Sequence, residues 1–585
     1  MKRDGFRKWR YNIVFGLLML ALAALPVRAV LLMRDWRGEA RRQSQKQQRM
    51  VIAIPARPGS VFARAGRDHV LLAGSKQVPS CFADPALVSD QELDKTATEV
   101  GKALRLPHDE VRAALLNRDK RFTWLKHDLS GEEVAAIEVL DLPGVGITYE
   151  WRRYYPSKLA AATMGFCRPD GEPGAGLEIS MRQHLVPGEG RCVVLADQRR
   201  RPIWVVGEES RPPSDGHRVY LCLDAYIQGF LEKAVSDAVC QYGVNGRTWG
   251  AGVVVEPHTG RVLAICSVPT FDPNDYSNSK DEQRVNRPVS VPFEPGSAAK
   301  PIFAAAAVDA GVLTYDSRLF CENGLFHCPR GGWIKDHGER HGDLSLEDIV
   351  VVSSNIGMAK VGLTLGNARL HASAKRFGLG QRTGIEIPGE DAGIVRDLHK
   401  WNTYSTPRVP FGQEVSVTPI QLAMAFCALA NGGELLKPRV VDYVRDSAGN
   451  VIWSSRREVV RRVISPSTAA RTLKVLEQVV ERGTGKRSKL SRWTSFGKTG
   501  TGQIPGPGGY VADAYAGTYV GGAPVGHPRV LCLISVYWPD ASKGYYGATV
   551  AAPFVKEVLE RTMTYLHVPE DRAVGAGPGQ YAGAR

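Results

Sequence analysis

Phe293-Glu294-Pro295-Gly296-Ser297-Ala298-Ala299-Lys300 is the stretch whose reading decides the fold and chemistry of this chain. It runs directly into Pro301-Ile302-Phe303-Ala304-Ala305-Ala306-Ala307-Val308, a strong helix former. Pro and Gly ahead of Ser297, and Pro301 in the opening turn, place Ser297 near a helix N-terminus. Residues at i and i+3 share a helix face, so Lys300 stands beside the Ser297 hydroxyl. A serine hydroxyl is a poor nucleophile until a base takes its proton. A lysine amine is such a base once burial and positive neighbours lower its pKa. The helix N-terminus adds positive potential, which favours an alkoxide and disfavours an ammonium. Taken alone, S-x-x-K is expected by chance in a chain of 585 residues, and a solvated helix start satisfies it equally.

Two later stretches supply what that serine would need. Ser353-Ser354-Asn355 sits inside the apolar run Ile349-Val350-Val351-Val352 to Ile356-Gly357. Polar residues there mark a helix end or a buried hydrogen-bond cluster, with a hydroxyl to relay a proton and an amide to hold a substrate amide. Gly497-Lys498-Thr499-Gly500-Thr501-Gly502 precedes the terminal apolar runs. A cation with hydroxyls on a Gly-flanked strand binds a carboxylate, and the glycines let a substrate backbone approach closely. The spacing does not match the G-x-x-x-x-G-K-[ST] phosphate loop.

Working outward, Val219-Tyr220-Leu221-Cys222-Leu223 reads as a strand and Ala225 to Val239 as a helix. Gly252–Val255 and Val262–Ile265 are apolar runs joined by Glu256-Pro257-His258-Thr259-Gly260, a hairpin signal. Strands return at Tyr515–Val520 and Val530–Tyr537. Strands at both ends with helical segments between them predict an α+β fold, an antiparallel sheet flanked by helices plus a helical subdomain, over 216–565. Residues 51–215 read as a mixed α/β region, with strands at Val51–Ile54 and Val61–Phe62 and helix formers from Asp90 to Leu116. Glu208 to Gly216 reads as a linker, and 566–585, rich in Gly, Ala and Pro, as a disordered tail. No internal repeat is present.

The amino terminus sets the compartment. Ile13 to Met33 is apolar, and at about 1.5 Å per residue it spans roughly 30 Å, one hydrocarbon core. Lys2, Arg3, Arg7, Lys8 and Arg10 precede it, so residues 1–12 form a cytoplasmic basic segment and the remainder is exported. Val27-Arg28-Ala29 also fits a signal-peptide cleavage site, but the apolar run continues past it. The expectation is an uncleaved single-pass anchor at 13–33 followed by a polar stalk at 34–50.

Composition narrows the classes further. Hydrophobic residues make up 43% and charged residues 23%, ordinary for a globular chain of two to four domains. The net charge of +15 suits nucleic acid, anionic lipid or an acidic wall polymer, and no zinc-finger, RNP or basic-zipper pattern supports nucleic acid. The ten cysteines are scattered, mostly in apolar runs, and do not form a disulfide framework. Cys321, His327, Cys328, His337 and His341 cluster ahead of the second motif. They read as surface-loop residues, a Cys321–Cys328 disulfide after export, or zinc ligands.

S-x-x-K, S-x-N and K-T-G, in that order, resemble the set of penicillin-binding proteins and β-lactamases. The whole chain, over roughly 10–565, resembles a class B (monofunctional) penicillin-binding protein. Phe411-Gly412-Gln413, Val417-Thr418-Pro419, Gln421-Leu422, Ala430-Asn431-Gly432-Gly433 and Gly483-Thr484-Gly485-Lys486 look like that family's later landmarks. Arg57 to Arg64, Tyr154-Tyr155-Pro156, Gly165 and Gly176-Leu177-Glu178 look like its pedestal, or dimerisation-like, domain. The first of these departs from the family's R-G-x-I-x-D-R by inserting Pro58 and by Ala63 in place of an acid.

The resemblance implies a peptidoglycan D,D-transpeptidase. Ser297 would be the nucleophile and Lys300 its base. Ser353 would relay a proton, Asn355 would hold the peptide amide, and Lys498, Thr499, Gly500 and Thr501 would bind the terminal carboxylate. Backbone N–H groups of Ser297 and Thr501 would form the oxyanion hole. β-Lactams would acylate Ser297. No cofactor and no metal is implied. Ser353-Ser354-Asn355-Ile356-Gly357 resembles the division or sporulation type. That implies septal wall synthesis at the bacterial inner membrane, beside a multi-pass glycan polymerase and other division proteins. A D,D-carboxypeptidase shares all three motifs and differs in the acceptor. A catalytically idle scaffold of the division machinery is the non-enzymatic alternative, and a β-lactamase is disfavoured by the pedestal, the stalk and the length.

Overall fold

The computed structural model describes residues 4–118, 120, 122–196, 202–244, 246–328 and 332–572. Two compact units result, one of residues 1–57 and 187–215, the other of 58–186 and 216–585.

The first unit begins with the helix Asp4–Gln48, which contains the expected span and continues through the stretch expected as a stalk. Lys8–Arg34 within it is long and apolar enough to cross a membrane, with mean hydropathy 2.3 and none of it buried. Pro26 is accommodated inside the helix. Strand Arg49–Ile54 pairs antiparallel with Gly190–Ala196, which pairs with Pro202–Val205. The expected linker is tied to this unit: a turn of 3-10 helix covers Gly207–Glu209, and bridges join Arg191 to Arg211 and Gly188 to Ser214.

The second unit holds two sheets. The first has seven strands and mixes the two halves of the sequence. Ser60–Ala65 runs parallel to Arg218–Asp224 and antiparallel to the long strand Asp68–Ala83. That long strand carries Thr123–Lys126 and Val145–Tyr154, and helices Leu93–Leu104 and His108–Leu116 pack nearby around Val100, Leu104, Val111 and Leu115. At its foot a buried ion pair joins Arg153 Nε to Glu178 Oε1 at 2.6 Å, and Tyr155 Oη donates to the same oxygen at 2.9 Å. The Tyr154-Tyr155 and Gly176-Leu177-Glu178 motifs therefore meet in one polar core.

The second sheet positions the chemistry. It is antiparallel, in the order Arg261–Val268, Trp249–Glu256, Val530–Tyr537, Gly509–Ala523, Phe496–Gly506. Its first hairpin turns at the expected 256–260. Alternation divides its two faces between two cores. Val253, Val255, Leu531 and Leu533 face one; Val254, Cys532 and Ile534 face the other. The second core packs helices Ala225–Tyr242 and Ala552–Tyr565 through Ile227, Leu231, Val555 and Leu559. The first core receives the helical subdomain, centred on Pro419–Ala430, every residue of which is buried. Its one polar residue, Gln421, is satisfied by the Asp391 and Ala392 carbonyls, and a helix otherwise apolar on every side belongs in a core of this kind.

Residues 566–572, expected as part of a disordered tail, are tied to the domain at a few points. Val568 is buried, Trp493 Nε1 donates to the Val568 and Pro569 carbonyls, and Arg572 pairs with Glu481 at 2.5 Å. Val568 is the one buried side chain of the segment, and polar ties from Trp493, Thr494 and Glu481 hold the rest to the domain surface. The rest of the expected tail, 573–585, lies outside the described residues, as do Lys2 and Arg3.

Candidate active site

Ser297 sits in the 3-10 turn Gly296–Ala299, which runs into the helix Lys300–Asp309. The Lys300 backbone N–H donates to the Ser297 carbonyl, closing the turn. The alanines after Lys300 let this helix pass through the first core with its residues buried from Lys300 to Ala307. Lys300 is therefore wholly buried, whereas Ser297 is half-buried.

The second motif is a junction between helices. Ser353 ends the helix Leu346–Val352 and Ser354 caps the helix Asn355–Arg376. Ser353 adopts φ 68°, a left-handed conformation costing a non-glycine residue about 1–2 kcal/mol. Hydrogen bonds on both sides hold it: its N–H returns to the Ile349 carbonyl, and Ser354 Oγ accepts from the Gly357 N–H at 3.0 Å. The reversal sets the Ser353 hydroxyl between two lysines. Lys300 Nζ donates to Ser353 Oγ at 3.1 Å and Lys498 Nζ donates to the same oxygen at 2.9 Å. Lys300 Nζ also donates to Asn355 Oδ1 at 2.8 Å and to the Ser353 carbonyl.

Lys498 lies on the edge strand Phe496–Gly506 and is also wholly buried. Its Nζ reaches the Thr499 hydroxyl at 3.4 Å, and Thr499 Oγ1 is 3.0 Å from Thr484 Oγ1. The strand lies flush against the nucleophile turn because its glycines have no side chains. A Cβ on Gly502 would lie 2.1 Å from the Glu294 carbonyl oxygen. The other side of the turn is closed by Gly412, at φ 81°, whose carbonyl accepts from the Gly296 N–H at 3.2 Å. Thr501 Oγ1 accepts from the Gly547 N–H at 3.3 Å.

The electrostatics follow from two amines sharing one hydroxyl away from water. Burial pulls Lys300 down to about 7, against a smaller upward pull from Asp336. Burial and then the Lys300 charge push Lys498 well below the ordinary lysine value. A neutral amine within reach of a hydroxyl is thus present near neutral pH, which is what general-base chemistry needs.

Lys300, Ser353, Asn355, Lys498 and Thr499 form one hydrogen-bonded network. Ser297 joins it through the turn it shares with Lys300; Gly500 and Thr501 join it along the edge strand. Two residues of the site escaped the sequence reading. Asp336 is buried; its Oδ2 accepts from Ser354 Oγ at 2.7 Å, and its Oδ1 accepts from the Asn355 and Ile356 N–H groups at 2.5 and 3.0 Å. It places a carboxylate on the helix N-terminus that carries the second motif. Its only sequence signal was an acid beside His337. Thr484 appeared only as a landmark. In the Cys/His cluster Cys321 and Cys328 are both buried, and no disulfide joins them. Among the described residues no three His, Cys, Asp or Glu side chains are grouped to hold a metal.

Comparison with known proteins places this geometry. Residues 250–560 match the penicillin binding protein transpeptidase domain, and 53–172 match the penicillin-binding protein dimerisation domain. The chain is 28% identical over 573 residues to the peptidoglycan D,D-transpeptidase FtsI of Escherichia coli K12, covering 97% of this chain and 93% of that protein. It is 30% identical over 518 residues to stage V sporulation protein D of Bacillus subtilis 168, covering 86% and 78%. Penicillin-binding protein 3 of Mycobacterium tuberculosis, solved with ampicillin, superposes with a TM-score of 0.69 at 27% identity over 90% of this chain and 98% of that one. With the transpeptidase domain covering more than half of its length and a dimerisation domain ahead of it, the chain belongs to the class B penicillin-binding proteins.

Proposed function

We propose that this protein is a peptidoglycan D,D-transpeptidase that cross-links stem peptides through an acyl-enzyme on Ser297. The observation that carries the reading is the Ser353 hydroxyl held between the Nζ atoms of Lys300 and Lys498, both buried and both with lowered pKa. Lys300 takes the Ser297 proton as Ser297 Oγ bonds to the carbonyl carbon of the penultimate D-Ala. The N–H groups of Ser297 and Thr501 stabilise the oxyanion, a contribution of about 2.7–4 kcal/mol per donor. The C–N bond breaks, and the D-Ala amine leaves with a proton relayed through Ser353. An amine of a neighbouring stem then attacks the ester, and Ser297 regains its proton. Asn355 holds the donor amide; Lys498, Thr499, Gly500 and Thr501 receive its carboxylate.

The helix Lys8–Arg34 serves as a single-pass anchor in the bacterial inner membrane, with the catalytic domain outside the cytoplasm. The role is septal, beside a multi-pass glycan polymerase and other division proteins that the anchor helix contacts. The S-S-N-I-G sequence, of the division or sporulation type, and the similarity to FtsI of E. coli support this reading.

Intact-mass spectrometry with penicillin tests the nucleophile. Wild type should gain one adduct, and Ser297→Ala none. An adduct that survives the substitution sinks the assignment. Incubation with a donor pentapeptide and an acceptor stem should give a cross-linked dimer. Release of D-Ala without dimer would make the protein a carboxypeptidase instead.

A further inference from the structure

Glu294 stands three residues before Ser297, and the sequence reading gave it no role. The turn that follows it is held by backbone on both sides. On one side Phe293 and Val417 exchange two hydrogen bonds, each 2.9 Å, and the Gly296 N–H reaches the Gly412 carbonyl. On the other, a Cβ on Gly296 would lie 2.5 Å from the Thr501 carbonyl oxygen, so the edge strand lies in direct contact. Ser297 therefore sits between two walls. One is the loop 412–417; the other is the edge strand Phe496–Gly506 with its return strand Gly509–Ala523.

The Glu294 side chain reaches both walls. Its Oε1 accepts from the Glu414 N–H at 3.0 Å, and its Oε2 accepts from Tyr510 Oη at 2.9 Å. Each partner is itself anchored. Glu414 adopts φ 61°, a left-handed conformation disfavoured for a residue with a Cβ, and its side chain holds it there. Its Oε2 accepts from Ser405 Oγ at 2.7 Å and pairs with Arg396. Tyr510 follows the hairpin tip and is paired across the hairpin with Pro505 of the edge strand. Apolar packing leaves room for movement here. A cavity of about 230 Å³ adjoins the carboxylate, lined from both walls by Glu294, Glu414, Gln503 and Pro505 among others. Beside Glu294 the walls are thus joined by two hydrogen bonds to one carboxylate, not by a close-packed core.

We propose that Glu294 is a positioning residue for the nucleophile: its carboxylate ties the loop 412–417 to the edge hairpin, through Glu414 and Tyr510, and so fixes the spacing of the walls that hold Ser297. The proposal rests on the transpeptidase reading, which makes Ser297 the attacking group. Among the described residues the Glu294 side chain hydrogen-bonds Glu414 and Tyr510 alone, so its effect on the chemistry runs through the turn and not through the Lys300 network.

The test uses the full-length protein in detergent. Stopped-flow acylation over a range of penicillin concentrations separates the first-order acylation rate from the preceding dissociation constant. Glu294→Ala should slow the rate at least tenfold and move the dissociation constant less than threefold, since misplacement by about 1 Å costs about 100-fold. Tyr510→Phe should slow it at least threefold. Glu294→Gln should recover most of the rate, because its amide oxygen still accepts from the Glu414 N–H and its NH2 group donates to Tyr510 Oη. Added to Glu294→Ala, Tyr510→Phe should do no further harm, because the bond it removes is already gone. Hydrogen–deuterium exchange reads the walls without any catalysis: peptides covering 412–417 and 503–510 should exchange at least threefold faster in Glu294→Ala. A wild-type protein that forms no penicillin adduct would count against the catalytic reading, and exchange would still decide whether Glu294 ties the walls. Should Glu294→Ala fail to fold, Tyr510→Phe set against Glu294→Gln carries the comparison, with exchange of 503–510 as its structural readout. A wild-type rate in Glu294→Ala or Tyr510→Phe, a loss confined to the dissociation constant, equal damage from Gln and Ala, additive losses in the double variant, or unchanged exchange would each overturn the proposal.

Discussion

At the scale of the residue, the site depends on keeping one of two neighbouring lysines neutral. Lys300 is held near pH 7 by burial. A general base works in its unprotonated form, so acylation should slow as pH falls below that value and level off above it. A stopped-flow profile of the penicillin acylation rate should show one ascending limb with a midpoint near 7; a rate flat from pH 5 to 9 would remove Lys300 as the base. Asp336 is the complementary case. It accepts hydrogen bonds from Ser354 and from the N–H groups of Asn355 and Ile356. Asp336→Ala leaves those donors unmet, at about 1–3 kcal/mol for each buried group, and frees the loop carrying Ser353. Acylation should fall at least tenfold with a measurable loss of Tm, whereas Asp336→Asn, which keeps the shape and an acceptor oxygen, should fall less. Equal effects of the two would mean that the carboxylate merely fills space.

At the scale of the element, the edge strand Phe496–Gly506 and the nucleophile turn are fitted by backbone contact. The alternation of Lys498-Thr499-Gly500-Thr501-Gly502 sends one set of positions toward the turn, and there glycine is required. Gly502→Ala would put a methyl 2.1 Å from the Glu294 carbonyl, well inside contact distance. The strand must shift by roughly an ångström, and misplacement on that scale costs about 100-fold in rate. We expect penicillin acylation to drop by at least tenfold with the five-stranded sheet intact by circular dichroism. A wild-type rate would show that the turn gives way freely. The same fit explains Gly412, distant in sequence, whose carbonyl accepts from the Gly296 N–H.

At the scale of the whole molecule, the anchor and the catalytic fold are separable in principle. Lys8–Arg34 contributes no buried residue, and the catalytic network lies wholly within the second unit. A protein lacking residues 1–50 should leave the membrane fraction on extraction without detergent and acylate with penicillin at a rate within about threefold of wild type. Loss of acylation in a folded, soluble protein would show that the amino terminus supports the site. A signal lost to cleavage would instead appear as a mature chain beginning after residue 29, detectable by amino-terminal sequencing.

Much of this was readable from the chain because it is local. Apolar length gave the helix Asp4–Gln48 its span. The hairpin at 256–260, the helix after Lys300 and the strands near the end follow from spacing and turn residues that act within a few positions. Ser297, Lys300, Ser353, Asn355 and Lys498 were legible as motifs in order. What the sequence did not carry is everything that depends on who lies beside whom: the carboxylate of Asp336 beneath Ser354, the parallel pairing of Ser60–Ala65 with Arg218–Asp224, and the contacts of 566–572 with Trp493. The lowering of Lys300 and Lys498 is of the same kind. A lysine in a motif is an ordinary cation; only enclosure by a folded core, joined at Lys498 by the Lys300 charge across one serine, makes its neutral form accessible, because desolvation and like-charge repulsion are set by distance through space.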